Sequence, residues 1–266
     1  MELLKQMEKI VTEAGNIMLS AQDVVSVTRE KSSAADLVTA YDEKIEAFLK
    51  EKLLGLLPEA VFFGEEEAEN QDPLHGWAYI VDPIDGTANF VRGFSQSAVS
   101  VALLRDGHPQ YAVVLDPYRR ELFTAIRGQG AFCNGQPIHV SDRPLSQGIF
   151  GMGTTPYNQD CQDLTLELTR RLFSRSCDFR RMGAAVPDLC ALACGRLDAF
   201  FECQLSPWDY AAGSLLIEEA GGFISTLDGC PLPYDRKCSV YAANGLNFPV
   251  RQEIMEGLST FDGFPL

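Results

Sequence analysis

Histidine and basic residues are scarce in this sequence. It has three histidines and eight cysteines, but no Cys-x-x-Cys pair and no histidine at metal-ligand spacing from a cysteine, which argues against zinc. It has 22 Lys and Arg residues and 37 Asp and Glu residues, which gives a net charge of −15. The electrostatic field of a protein with this negative charge repels nucleic acid, acidic lipid and phosphate esters. We therefore expect no direct nucleic-acid partner, and an anionic ligand would need a local reversal of charge.

Long apolar runs are also lacking. No stretch approaches the ~20 apolar residues of a membrane span, and the first residues lack the apolar core of a signal peptide. We therefore expect a cytoplasmic protein that does not bind membranes, with most of its cysteines reduced. Hydrophobic residues make up 46% of the chain, which is ample for a packed core.

The most informative stretch is residues 77–90, which read WAYIVDPIDGTANF. Residues 77–81 are mostly aromatic or β-branched, which predicts a strand buried on both faces. Proline cannot donate to a β-ladder. Because of Pro83, the strand is predicted to stop at Asp82.

A turn rich in oxygen ligands follows this strand. The carboxylates of Asp82 and Asp85 and the carbonyls between them can point into one small volume, as a hard cation with oxygen ligands requires. Gly86 and Thr87 are placed to open a helix whose N–H groups favour a phosphate oxygen. Since Asp, Pro, Gly and Thr are also the ordinary residues of turns, the alternative is a solvated turn without a ligand.

Two further stretches place carboxylates at the ends of predicted elements. Residues 208–222 predict a helix with Asp209 in its first turn that ends at a glycine pair; taken alone, Asp209 is only a favourable charge at a helix N-terminus. Residues 62–66 predict a short strand that ends in Glu65 and Glu66, which a solvated face would also explain.

The fourth stretch is residues 31–42, which contain Lys31 and Asp42. Thr39 is a predicted N-cap, and Asp42 is then the third residue of the helix, as in a capping box. A structural and a catalytic role for Asp42 are compatible.

These four stretches, in this order, resemble the motifs of the inositol monophosphatase family, and the resemblance covers nearly the whole chain. It implies a first Mg²⁺ held by Glu65, Asp82 and the carbonyl of Ile84. A second Mg²⁺ would be held by Asp82, Asp85 and Asp209, with Asp82 bridging. A third, weaker Mg²⁺ would bind at Glu65, which also counts as catalytic. The resemblance further implies that Mn²⁺ can substitute and that Li⁺ or Ca²⁺ inhibits.

The implied reaction is hydrolysis of a phosphate monoester by water, without a covalent intermediate. Thr87 and Asp42 would accept the proton of the attacking water through a short relay. The backbone N–H groups of Gly86 and Thr87 would hold the phosphate. Lys31 would lie in a segment that closes near the site, and Glu66 would support the ligand Glu65.

The resemblance also implies contacts to the alcohol part of the substrate. Gly183, Ala184 and Ala185 would border it at a helix start. Glu202 would bond its hydroxyl groups, although a solvated strand end is the alternative for this residue. Thr154 is a weaker candidate, and the ligands Asp85 and Asp209 would also reach the substrate.

The favoured substrate is myo-inositol monophosphate, because Ala88-Asn89-Phe90 resembles the inositol phosphatase branch. Fructose 1,6-bisphosphate, the dinucleotide NADP, a nucleotide 3′-phosphate and histidinol phosphate remain open on the same site. A different class of function is a regulatory, protein-binding member of the family with secondary phosphatase activity, since some bacterial relatives contact the transcription machinery. The resemblance implies a homodimer.

The predicted fold class is α+β in αβαβα layers, similar to sugar phosphatases, with a large, mostly antiparallel sheet and a smaller α/β half. We place the halves at residues 1–145, which carry most metal ligands, and 146–266, in one structural unit with the site between them. The predicted helices lie near residues 1–20, 39–57, 161–173, 184–194, 208–220 and after Pro249.

Overall fold

The computed structural model of this protein describes residues 2–30, 37–66 and 71–258. Lys31 lies outside the described residues. Within them the chain forms seven α-helices: α1 (Glu2–Leu19), α2 (Ala40–Leu56), α3 (Thr87–Arg92), α4 (Gln162–Phe173), α5 (Ala185–Ala193), α6 (Pro207–Glu219) and α7 (Val250–Met255). The predicted helices are confirmed to within three residues at each end.

Strands of the described chain form three sheets. In chain order they are β1 (Thr28–Glu30), β2 (Leu37–Thr39), β3 (Val61–Gly64), β4 (Trp77–Asp85), β5 (Ala98–Arg105), β6 (His108–Asp116), β7 (Glu121–Ile126), β8 (Ala131–Cys133), β9 (Gln136–Ile138), β10 (Ile149–Met152), β11 (Asp178–Arg180), β12 (Ala199–Leu205), β13 (Phe223–Ser225) and β14 (Cys238–Ala243). Strands β1 and β2 pair with each other, antiparallel.

The large sheet has seven strands in the order β3-β4-β5-β6-β7-β8-β9. Only β3 and β4 are parallel among its described pairs, and the other strands form an antiparallel meander. The turn between β5 and β6 shows why the chain folds back, since Asp106 (φ 49°) and Gly107 (φ 73°) both adopt the left-handed conformation of a two-residue hairpin. The predicted antiparallel sheet is confirmed.

The smaller sheet has the order β11-β10-β12-β14-β13. Helices α5 and α6 lie between the two sheets, while α1 and α2 cover the outer face of the large sheet and α4 and α7 that of the smaller one. Three clusters of buried apolar side chains fill the spaces between these layers. The predicted αβαβα fold class is therefore confirmed.

Helix α6 comes from the second half of the sequence, yet it packs against β4, β5 and β6 of the large sheet. Its apolar side chains Tyr210, Leu215 and Leu216 are fully buried there. The core between the sheets is thus shared by both halves of the chain. The division at residue 145 stays a prediction.

The predicted end of β4 at Asp82 was wrong. The strand continues to Asp85, because a bulge places Pro83 and Ile84 opposite the single residue Val99 of β5. A bulged residue needs no ladder hydrogen bond, so the missing N–H of proline costs nothing at this point. No helix of the described residues is long and apolar enough to cross a membrane.

Candidate active site

A cavity of about 450 Å³ opens where the large sheet, α5 and the smaller sheet meet. Its wall brings together residues that are far apart in sequence and that the motifs had singled out. These are Glu65, Asp82, Ile84, Asp85, Gly86, Thr87, Thr154, Gly183, Ala184, Ala185, Glu202 and Asp209. Two exposed cations, Arg181 and Lys237, also line the cavity.

Three carboxylates form the centre of this wall. Asp82, Asp85 and Asp209 each offer an oxygen, and these oxygens lie within 4.8 Å of one another. The bulge in β4 explains the first two: side chains three residues apart on a regular strand point to opposite faces, and one extra residue returns them to the same face. The same bulge that extends β4 beyond the predicted end thus brings Asp82 and Asp85 together in the site.

Asp209 reaches the cluster from the start of α6. It is the third residue of the helix, and its Oδ2 accepts the backbone N–H of Ser206 at 2.7 Å, completing a capping box. Pro207 at the first helical position fixes the entry of the chain. The structural and the ligand interpretation of Asp209 are thus compatible in one geometry.

Burial and the charges of nearby carboxylates raise the pKa of all three carboxyl groups. For Asp82 the main cause is burial, followed by the charges of Glu65, Asp85 and Asp209. Burial also raises the pKa of Asp209 and of Asp85, where the N–H of Val186 acts in the opposite direction. Close carboxylates of this kind resist joint ionisation unless a cation neutralises them.

The residues fit a divalent cation with oxygen ligands. Asp82 is 1% exposed, and its Oδ1 has no hydrogen-bond donor among the described residues. A buried carboxylate oxygen without a partner is costly, and hard cations such as Mg²⁺ prefer such oxygens. Asp82, Asp85 and Asp209 therefore form a candidate Mg²⁺ site.

Glu65 and Glu66 leave the end of β3 in different directions. Glu65 lines the cavity, and its backbone N–H donates to the carbonyl of Val81 at 3.2 Å, which holds it beside β4. Glu66 is absent from the described cavity lining, and its backbone N–H donates to Oε2 of the buried Glu46 at 3.0 Å. Glu65 is thus placed as a candidate ligand, and the supporting role of Glu66 stays a prediction.

Asp42 lies behind the cavity wall and is fully buried. Its Oδ2 accepts the N–H of Thr39 at 2.8 Å in the predicted capping box of α2. Its Oδ1 faces the hydroxyl of Thr87 at 3.1 Å, and this hydroxyl also lies 3.1 Å from the carbonyl oxygen of Ile84. The two oxygens of one carboxylate thus face two partners, one in the helix cap and one in the cavity.

Gly86 makes the close approach between α3 and α5 possible. It has a φ of 82°, and an added Cβ would lie 2.7 Å from Cβ of Ala184 and 2.9 Å from the carbonyl oxygen of Gln96. A side chain at this position would therefore clash as well as strain the backbone. Gly86 and Thr87 line the cavity, and the contact of their N–H groups with phosphate stays a prediction.

Asp85 joins the β4 bulge to the start of α5. Its Oδ2 accepts the N–H of Val186, 101 residues further along the chain, at 2.7 Å. A carboxylate at a helix N-terminus pairs with N–H groups that lack an intrahelical partner. This contact brings Gly183, Ala184 and Ala185 onto the cavity wall, where the motif had placed them.

Glu202 is buried, and the alternative of a solvated strand end was wrong. It is 8% exposed, and its Oε1 accepts the N–H of Thr155 at 2.9 Å. Burial raises the pKa of Glu202 to about 7. The hydroxyl of Thr154 instead accepts a hydrogen bond from Arg181 at 2.9 Å.

Sequence reasoning missed Gly153, Thr155 and Asp188. An added Cβ on Gly153 would lie 1.8 Å from Oε2 of Glu202, so the glycine makes room for that carboxylate. The Gly-Met-Gly run at residues 151–153 was a usable signal, since glycine within a strand often marks a close approach. Asp188 lines the cavity from α5 and gave no local signal.

A thiol nucleophile is absent from the described wall of this cavity. All eight cysteines are free. Two of them precede an arginine by the spacing of thiol phosphatases, Cys190 before Arg196 and Cys230 before Arg236. Cys190 is buried within α5, and burial raises its pKa, the reverse of what a reactive thiolate needs.

Five alternating layers and a cavity with clustered carboxylates define the class, a layered α+β protein with a candidate site for divalent cations. A sequence model described as the inositol monophosphatase family matches residues 1–259. The chain therefore belongs to the inositol monophosphatase family.

Individual relatives fall into two groups by name. The chain is 38% identical over 220 residues to the Nus factor SuhB of Escherichia coli (strain K12), covering 81% of this chain and 82% of the relative. It resembles the crystal structure of the extragenic suppressor protein suhB from Bartonella henselae, with a TM-score of 0.84 and 30% identity over 99% of this chain and 100% of that one.

The second group consists of named inositol monophosphatases. Inositol monophosphatase-II from Staphylococcus aureus MSSA476 matches with a TM-score of 0.82 and 29% identity, over 97% of this chain and 93% of that one. Structures of SaIMPase-II with 2′AMP bound and with inositol monophosphate bound match with TM-scores of 0.81 and 0.79. The structure with 2′AMP is 29% identical to this chain and covers 97% of this chain and 94% of its own. The structure with inositol monophosphate is 28% identical and covers 96% of this chain and 93% of its own.

Proposed function

We propose that this chain is a Mg²⁺-dependent phosphatase that hydrolyses a small phosphate monoester, with myo-inositol monophosphate as the first candidate. The observation that carries the proposal is the cluster of Asp82, Asp85 and Asp209, whose oxygens lie within 4.8 Å of one another in the cavity. Membership of the inositol monophosphatase family supports the same reaction.

Glu65, Asp82, the carbonyl of Ile84, Asp85 and Asp209 would hold two to three Mg²⁺ ions, with Mn²⁺ as a possible substitute and Li⁺ or Ca²⁺ as inhibitors. Bound divalent cations neutralise charge on a phosphoryl group and lower the pKa of a bound water. In a protein with a net charge of −15, they would also supply the local positive charge that attracts a phosphate ester.

The chain's own residues would move the proton of the attacking water. The hydroxyl of Thr87 lies 3.1 Å from Oδ1 of Asp42. As water attacks phosphorus, its proton passes to the oxygen of Thr87, and the hydroxyl proton of Thr87 passes to Asp42. The backbone N–H groups of Gly86 and Thr87 would hold the phosphate. The phosphorus–oxygen bond to the alcohol would break, and the leaving alkoxide would take a proton from a second water molecule.

The opposite side of the cavity would bind the alcohol. Gly183, Ala184 and Ala185 would border it, Glu202 would accept hydrogen bonds from its hydroxyl groups, and Thr154 would stand nearby. Structures of SaIMPase-II hold inositol monophosphate and 2′AMP. A cyclitol phosphate and a nucleotide phosphate therefore both belong among the substrates to test.

The test is phosphate release from D-myo-inositol 1-phosphate, 2′-AMP, fructose 1,6-bisphosphate, adenosine 3′,5′-bisphosphate, NADP and histidinol phosphate. Each ester is assayed with Mg²⁺, with EDTA and with Mg²⁺ plus Li⁺. We expect release that needs Mg²⁺, is inhibited by Li⁺ and is fastest from the inositol ester. Faster release from another ester would overturn the substrate assignment, and no release from any ester would overturn the proposed function.

A second candidate function is regulatory binding, because relatives of the chain are named Nus factor SuhB. The test uses Escherichia coli cells without their own SuhB, complemented with this chain or with its Asp85→Asn variant at equal expression. Restoration of the wild-type phenotype by both would favour a binding role, and restoration by the wild type alone would favour catalysis.

A homodimer and a cytoplasmic location complete the proposal. The resemblance to the family supports the dimer, and light scattering on the purified protein tests it directly. A mass of one chain at micromolar concentration would overturn the dimer. Fractionation of the source cells, with the chain detected by antibody, tests the location.

A further inference from the structure

Asp188 is a buried carboxylate for which the proposed reaction has no use. It lies on α5, is 1% exposed and lines the cavity. Its Oδ1 has no hydrogen-bond partner within residues 2–30, 37–66 and 71–258. Buried carboxylate oxygens in folded proteins are nearly always hydrogen-bonded. An acceptor of this kind at a cavity wall is therefore suited to a donor from a ligand.

Asp188 and Glu202 each lie beside a glycine of the same chain segment, Glu202 in very close contact and Asp188 at ordinary van der Waals distance. An added Cβ on Gly151 would lie 3.7 Å from Cγ of Asp188, and one on Gly153 would lie 1.8 Å from Oε2 of Glu202. Gly151 belongs to β10, and Gly153 continues its pairing with β12 through an N–H donated to Phe201 at 3.0 Å. Side chains two residues apart on a strand share a face, so both carboxyl groups lie over one glycine-lined face.

No residue of the described chain donates a hydrogen bond to Oδ1 of Asp188. Burial raises its pKa, and so do the charges of Asp85 and Glu202, whereas Arg181 and Arg119 lower it. Arg181 donates instead to the hydroxyl of Thr154. None of the ion pairs found among the described residues includes Asp188.

We propose that Asp188 determines substrate specificity, with its carboxyl group accepting a hydrogen bond from a hydroxyl group of the substrate's alcohol next to the group bound by Glu202. The substrate would then carry at least two hydroxyl groups beside its ester oxygen. This inference rests on the proposed phosphatase function and adds Asp188 to the residues that bind the alcohol part of the substrate.

The experiment compares two esters of the same ring size. D-myo-inositol 1-phosphate carries ring hydroxyl groups, and cyclohexyl phosphate carries none. Asp188→Leu removes the acceptor at similar size, and Asp188→Ala removes it without any added bulk, so one of the two can be used if the other does not fold. Asp188→Asn keeps an acceptor oxygen and is the conservative control.

We expect Asp188→Leu or Asp188→Ala to lower kcat/KM for the inositol ester about tenfold, mostly through KM. The kcat/KM for cyclohexyl phosphate should change less than about twofold, and Asp188→Asn should recover most of the loss on the inositol ester. A purely structural role would lower both esters equally.

Equal losses on both esters, or no loss on either, would overturn the role of Asp188 while leaving the phosphatase function in place. If the wild type releases phosphate from neither ester nor from any other ester tested, the proposed function is overturned, and the inference about Asp188 is overturned with it.

Discussion

The hydroxyl of Thr87 lies 3.1 Å from Oδ1 of Asp42, while Oδ2 of the same carboxylate accepts the N–H of Thr39 at 2.8 Å. One buried side chain thus connects the cap of α2 to the cavity. The cap fixes the position of Asp42, and Asp42 in turn positions the hydroxyl of Thr87. The structural and catalytic interpretations of this motif can therefore be separated by mutation.

Thr87→Ala should lower kcat about 10²- to 10⁴-fold, because the proton of the attacking water loses its path to Asp42. The protein should remain folded, since Thr87 is only half-buried. Steady-state kinetics on the best substrate is the measurement. Thr87→Ser, which keeps the hydroxyl, should lose less than Thr87→Ala, and equal activity of Thr87→Ala and wild type would contradict the relay.

Thr39→Ala should have the opposite effect, lowering the stability of the protein while leaving kcat nearly unchanged. It removes a hydroxyl that donates to Oδ2 of Asp42 at 2.5 Å and accepts the N–H of Tyr41 at 3.1 Å. Loss of this cap should cost about 0.5–2 kcal/mol in the free energy of unfolding, while kcat stays within a few fold. Denaturant unfolding measures the loss of stability, and steady-state kinetics on the same preparation measures kcat. A fall in kcat comparable to that of Thr87→Ala would contradict the separation of the structural role of this motif from its catalytic role.

Asp82→Asn should stabilise the metal-free protein and abolish stabilisation by Mg²⁺. The wild type buries Asp82 among like charges, so an amide there removes repulsion, and a gain of roughly 2–6 °C in Tm is expected in EDTA. In the wild type, Mg²⁺ should raise Tm by binding the folded state. Thermal unfolding with EDTA and with Mg²⁺ measures both effects.

The matched control is Asp198→Asn. Asp198 is as buried as Asp82, but its carboxylate accepts the N–H of Ile149 at 2.8 Å and pairs with Arg143 at 3.1 Å. Its loss should cost about 1–3 kcal/mol and leave the response to Mg²⁺ intact. A lower Tm in EDTA for Asp82→Asn as well would show that Asp82 is not destabilised by its neighbours.

Glu202 should make the metal-free protein less stable as the pH rises. Burial raises its pKa from 4.5 to about 7 in the folded state, so the folded protein binds this proton more tightly than the unfolded chain. The resulting stabilisation is complete below the unfolded pKa and is lost as the pH rises through about 7. From about pH 5 to about pH 8, the free energy of unfolding should fall by up to about 3 kcal/mol through this group.

Glu202→Gln isolates that contribution. Denaturant unfolding in EDTA across this pH range should give a smaller fall for the variant than for the wild type, since Asp85 and Asp188 keep their raised pKa values. An identical pH dependence of both proteins would contradict a raised pKa at Glu202.

Gly153→Ala should damage the alcohol side of the cavity. A methyl group there would lie within 2.4 Å of both carboxylate oxygens of Glu202, so the carboxylate must move. We expect a higher KM for a polyol phosphate and a loss of about 1–3 kcal/mol in stability. Gly55→Ala is the control, because Gly55 has open space around it and no left-handed backbone conformation; its KM should match the wild type, and an unchanged KM in Gly153→Ala would contradict the close contact.

Much of the candidate site follows from short motifs, because Asp82, Asp85, Gly86 and Thr87 lie within six residues of one another. Turn chemistry and helix-start signals act over such distances, and they place Asp209 as well. The same local logic predicted the capping box of Thr39 and Asp42.

Long-range packing explains what the sequence could not show. The bulge in β4 depends on pairing with β5, and a proline alone suggested a strand end. The burial of Glu202 depends on Thr155, 47 residues away, and on the space left by Gly153. Asp188 is one of many acidic residues in the sequence, and only the fold places it at the cavity wall.

The most direct test of the account is the rate of phosphate release from D-myo-inositol 1-phosphate as a function of Mg²⁺ concentration, for the wild type and for Asp209→Asn. We expect a rate for the wild type that rises from zero in EDTA to saturation, and a rate for the variant at least about 10²-fold lower that needs more Mg²⁺. Equal rates for the two proteins, or release that persists in EDTA, would contradict a reaction carried by this carboxylate cluster.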